Sequence, residues 1–183
     1  TRGDDLTRLE AELARLRPLV AKGGHPSDRK LADLRALLSF QFNEPVAAEL
    51  ADGAVAHGRM PFLKLDRAGV QVGMTTIDRG VVSLTLDGAQ VLAKHSMKRV
   101  LIGDFTPKKT STLFAVGVVG ADPDVRVGDE VAIVRASEPT KVLGCGVAQM
   151  DAASMTHLKR GVAATMRHLA GEKPVQAAAE VKA

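Results

Sequence analysis

Five short β-type segments crowd into residues 81 to 148: VVSLTL, RVLIGDF, LFAVGVVGA, DEVAIVRA and KVLGCGVA. Each is rich in branched apolar residues and ends in turn chemistry, and only one helical stretch lies among them. Short strands at this spacing predict a closed or nearly closed small β barrel. In VRVGDEVAIV, Gly128-Asp129 supplies a tight reversal between β-branched runs. Asp151 is placed to cap a short helix through Met155 and Leu158, while residues 161 to 168 fit either a last strand or more of that helix.

Upstream, the pattern is helical. Leu6, Leu9, Leu13, Leu16 and Val20 recur at spacings of 3 and 4, a narrow stripe suited to docking within the chain. Gly23-Gly24-His25-Pro26 ends it, and Ser27 or Asp28 is expected to cap a second helix carrying Leu31, Leu34, Leu37 and Leu38. From Gln41 to Gly80 the sequence predicts helix, loop and hairpin, with Arg67-Ala68-Gly69 as the turn and Phe62, Leu65, Val70 and Val72 lining buried faces. The expected organisation is α+β: an N-terminal helix over 1–26, a small α+β unit over 27–78, a β pseudo-barrel over 79–169 and a disordered tail over 170–183.

Composition narrows the function. No apolar run approaches the roughly 18 residues that span a bilayer, and TRGDDL has no signal-segment pattern, so a cytoplasmic location is expected. A start on Thr1 fits a trimmed initiator or a piece of a longer chain equally well. The lone Cys145, between two glycines, is expected to be a buried structural thiol. His25, His57, His95, His157 and His168 are scattered without ligand spacing, so no metal set, cofactor site or catalytic triad is expected. Asp122 and Asp124 flank Pro123 in a turn that accounts for both, and Met60, Met74, Met150, Met155 and Met166 are expected to fill the core. With no tryptophan or tyrosine and five phenylalanines, the chain lacks the material for an aromatic platform.

The net charge of +4 is localised. Lys94, Lys98, Arg99, Lys108 and Lys109 lie within sixteen residues against Asp104 alone, and the remainder of the chain is balanced. Such a cluster suits a few phosphates, or is a solvated face. Beside it, LTLDGAQVL turns from strand to helix at Asp87-Gly88. A helix starting at Gly88 and Ala89 would offer unpaired N–H groups to a phosphate, or would only cap itself through Asp87.

Three stretches occurring in order, LTLDGAQVL, FAVGVVGADPDVRVGDEVAIVRA and KVLGCGVAQM, resemble the PUA domain, a small RNA-binding pseudo-barrel, over residues 79 to 169. LADLRALLSFQFNEPVAAEL with the hairpin after it, and KRGVAATMRH at the end, are similar to the region around the PUA domain in archaeal tRNA-guanine transglycosylases and archaeosine synthases. The resemblance implies binding of structured RNA, tRNA or rRNA, with the helix and the following strand as the RNA-facing surface. On this sequence that surface is Gly88, Ala89, Lys94, His95, Lys98, Arg99, Lys108 and Lys109, contacting the RNA backbone. The expected role is non-catalytic, as an accessory subunit in tRNA modification or a ribosome-associated component. The alternative is a split subunit or fragment of a transglycosylase-type enzyme, active only with its catalytic chain.

Overall fold

The computed structural model describes residues 26–107 and 112–171. The expected N-terminal helix, the expected tail, and Lys108 and Lys109 lie outside the described residues. Helix α1 (Pro26–Gln41) takes Asp28 into its first turn and presents Leu34 and Leu38 to the core, with Leu31 and Leu37 half-covered beside them. Helix α2 (Glu44–Ala51) starts at Asn43, whose side-chain oxygen accepts from the Val46 N–H at 2.9 Å.

Strands β1 (Ala54–Arg59), β2 (Phe62–Arg67), β3 (Val70–Thr75) and β4 (Val82–Leu84) follow as an antiparallel sheet in that order. Its inner face carries Ala54, Ala56, Leu63, Leu65, Val72, Val82 and Leu84 against α1 and α2. Leu65 and Val72 are buried as expected, but Phe62 and Val70 are exposed. The period of two sends Leu63 inward with Leu65, so Phe62 must face out.

Helix α3 (Leu86–Lys94) then leads into a curled six-stranded mixed sheet ordered β6-β10-β9-β8-β5-β7. Its strands are β5 (Arg99–Ile102), β6 (Thr112–Phe114), β7 (Val118–Ala121), β8 (Glu130–Arg135), β9 (Val142–Ala148) and β10 (Val162–Leu169). Only β5 and β8 run parallel. The sheet encloses Val100, Ile102, Leu113, Val118, Val131, Ile133 and Met166, and helix α4 (Ala152–His157) contributes Met155 and packs against the edge strand β7. The outward residues of β8 and β9, Ala132, Val134, Val142 and Cys145, join the first core cluster instead. Strand β8 is therefore apolar on both faces.

Three expectations are corrected. The VVSLTL strand pairs with β3 and completes the first sheet rather than the pseudo-barrel. LFAVGVVGA breaks into β6 and β7 around a 3-10 turn at Ala115–Gly117, which lets the chain pass from one edge of the curled sheet to the other. Met60 is exposed at a hairpin tip, while Met155 and Met166 are core residues as expected. The segment left open at 161 to 168 is a strand. Gly146 shows why: a Cβ there would lie 2.1 Å from the Thr165 carbonyl oxygen, so the β10 backbone lies where a side chain would go.

Candidate nucleic-acid interface

The strand-to-helix turn at Gly88 is closed, not open. Thr85, not Asp87, is the N-cap, its hydroxyl accepting from the Gly88 N–H at 3.4 Å while its carbonyl accepts from the Ala89 N–H. A Cβ on Gly88 would stand 2.1 Å from the Val72 carbonyl oxygen. The bare backbone at this position therefore meets strand β3 of the same molecule. Gly88 and Ala89 are buried, and the phosphate-accepting helix start expected there is corrected on that ground.

The basic cluster divides in two. Lys98 and Arg99 are committed internally: Lys98 Nζ lies 2.6 Å from Asp129 Oδ2, with its side chain 11% exposed. Arg99 forks onto Asp122 through Nε and Nη2, each at 3.0 Å, and its own backbone N–H donates to the same carboxylate. The reading of Asp122 as a turn former alone is corrected by this pairing, which ties the start of β5 to the end of β7. Lys94 and His95 sit at the surface end of α3, both on Glu49 of α2 at 2.9 and 2.8 Å. Hydrogen bonds from Lys94 first, then His95, hold the Glu49 carboxyl below its ordinary value. With its side chain 66% exposed, the Lys94 pair is the weak kind that a phosphate can replace.

Beside α3 a cleft of about 540 Å³ is lined by Arg67 and Lys94 but also by Glu49 and Asp87, so its charges balance. The cations without a partner among the described residues lie elsewhere. Lys159 and Arg160 occupy the turn from α4 into β10, Arg59 and Lys64 the outer face of the first sheet, and Arg29 the first turn of α1. The α4–β10 turn was not singled out in the sequence because its two basic residues look like any solvated pair; only the carboxylate partners of Lys98 and Arg99 reveal the contrast. No group of His, Cys, Asp and Glu among the described residues is arranged to hold a metal ion. No helix among them is long and apolar enough to cross a membrane.

Comparison with known proteins agrees with this architecture. Residues 105–170 match the family model of the PUA domain. The chain is 31% identical over 160 residues to the archaeosine synthase subunit alpha of Thermoplasma acidophilum, covering 86% of this chain and 30% of that protein. It is 34% identical over 142 residues to the archaeosine synthase of Haloferax volcanii, covering 74% and 23%. It thus spans less than a third of the length of these relatives. Among solved structures, a hypothetical protein of Pyrococcus horikoshii superposes with a TM-score of 0.62 at 19% identity, over 80% of this chain and 93% of that one. A PUA domain from Aeropyrum pernix does so with 0.56 at 20%, over 80% and 84%. At such identities the likeness concerns the fold alone. Residues 105–170 thus match the PUA-domain model, within a fold that resembles solved PUA-domain structures.

Proposed function

We propose that this chain is an RNA-binding module that carries out no reaction alone and serves tRNA modification by holding structured RNA. The observation that carries this reading is a coincidence along the chain. The PUA match at residues 105–170 overlaps a longer stretch, 86% of this chain, that is similar to a protein named archaeosine synthase subunit alpha. Its binding energy comes mostly from phosphate contacts, because the groups available on this surface are Lys, Arg and His side chains that pair with phosphates. Lys94 and His95 keep their place in the interface, since exposed ion pairs exchange readily. Lys108 and Lys109 keep theirs on sequence position, and Lys159 and Arg160 join them as unpaired cations of the PUA segment. Lys98 and Arg99 shape the surface without leaving their carboxylates.

A second reading is favoured by one specific fact: the chain covers only 30% of the subunit alpha it resembles. In that reading it is one subunit or portion of a transglycosylase-type enzyme and delivers tRNA to a separate catalytic chain. Affinity capture from native extract, followed by sequencing of the bound RNA, tests both. Recovery of tRNA supports the module, and a transglycosylase-like protein recovered with it supports the second reading. Ribosomal subunits and rRNA in its place would assign the chain to the ribosome, and capture of no RNA would contradict the proposal.

A further inference from the structure

The outer face of the first sheet holds a built cluster that the PUA segment does not use. Register places Arg59 opposite Phe62, and Lys64 opposite both His57 and Met74, so these side chains share one face. Phe62 is 58% exposed and Met60 72%, at the tip of the β1–β2 hairpin. The tip is held from beneath. The buried Thr75 hydroxyl donates to the Pro61 carbonyl and accepts from the Leu63 N–H at 2.8 Å. Phe62 is thus fixed outward at both neighbouring residues. On this face the single acid, Asp66, lies 3.5 Å from His57, while Arg59 and Lys64 have no partner among the described residues.

We infer that this face binds one unpaired base of an RNA strand on the Phe62 ring, with Arg59 and Lys64 taking the phosphates on either side. A single ring cannot form the multi-base platform that the low aromatic content excludes, but it can seat one base. The charge pattern selects RNA over an apolar protein segment. Docking a hydrophobic helix would strip water from two unpaired cations, whereas a phosphate backbone brings the charges that they lack. The inference rests on the RNA-binding reading and adds to it a second contact outside the PUA segment.

The test uses the full chain, a tRNA transcript and a fluorescein-labelled single-stranded RNA octamer. Phe62→Ala should weaken octamer binding by about 5- to 150-fold, the range of one lost base stack. Arg59→Ala with Lys64→Ala should flatten the slope of log affinity against log salt by roughly 1.4. Phe62→Trp gives the chain its sole tryptophan, whose emission should be quenched as the octamer saturates. Unchanged octamer affinity in Phe62→Ala, or unquenched emission in Phe62→Trp, while the wild type binds tRNA, would overturn this inference alone and leave the face to a protein segment. Failure of the wild type to bind either RNA would overturn both this inference and the proposed function.

Discussion

Glu130→Ala is expected to be among the most damaging substitutions in the chain. The Glu130 side chain is 1% exposed and lies between the two sheets. Its Oε1 receives Arg79 at 2.6 Å and Arg167 at 3.0 Å, while Oε2 receives the second Arg167 nitrogen and the Leu84 N–H at 3.2 Å. Leu84 belongs to β4, the edge of the first sheet, and its carbonyl accepts from Arg167. One carboxylate therefore closes an exposed strand edge and neutralises two guanidiniums. Truncation removes the buried carboxylate from both cations, which keep hydrogen bonds to the Gly128 and Leu84 carbonyls, and leaves the Leu84 N–H without an acceptor, a defect costing about 3–5 kcal/mol. For a chain of this size that lowers Tm by roughly 6–20 °C. Glu130→Gln should lose less, because its carbonyl can still accept from Leu84 and one guanidinium. Thermal unfolding followed by circular dichroism measures both. A Glu130→Ala Tm within about 2 °C of wild type, the behaviour of a neutral surface change, would refute the reasoning.

Gly88→Ala should cost about 1–3 kcal/mol in urea unfolding, since the new Cβ would overlap the Val72 carbonyl; an unchanged midpoint would show that α3 can shift freely. Burial pushes the Cys145 thiol up to about 12, with the Arg167 charge opposing and Glu130 adding to the shift. The native protein should thus resist a thiol reagent at pH 8 and react only on unfolding; prompt labelling would contradict the buried position. The lowered Glu49 carboxyl stabilises the fold above the ordinary value of 4.5, and that contribution is lost as pH falls through the folded value. Glu49→Gln should therefore flatten the decline of the urea midpoint below pH 4.5, and a decline as steep as in wild type would place the acid sensitivity elsewhere.

Local patterns carried much of the fold into the sequence. The leucine spacing of α1, the Arg67–Gly69 turn, the Asp151 cap and the α+β class all follow from periodicity and turn chemistry. Strand β1, AVAHGR, escaped because only two of its six residues are buried and its strand character comes from pairing with β2. The sheet to which β4 belongs escaped for a related reason: pairing is decided by non-local partners such as Gln41, whose amide side chain bonds both the N–H and the carbonyl of Val82. The basic cluster was legible as charge but not as availability. Asp122 and Asp129, which hold Arg99 and Lys98, lie 23 and 31 residues further on, and nothing in the spacing announces them. Gly88 was singled out as a phosphate-accepting helix start, but the backbone that lies against it is the chain's own strand β3, which no local pattern announces.

Filter binding of a tRNA transcript across a salt series, comparing the wild type with a folded Lys94→Ala/Lys159→Ala/Arg160→Ala variant, tests the central claim most directly. The wild type should bind at low salt, with log affinity falling linearly against log salt. The variant's slope should be shallower by roughly 2 to 3, about 0.7–0.9 for each phosphate contact removed. No binding by the wild type at 50 mM salt, or the same slope in both proteins, would contradict an RNA-binding role through this surface.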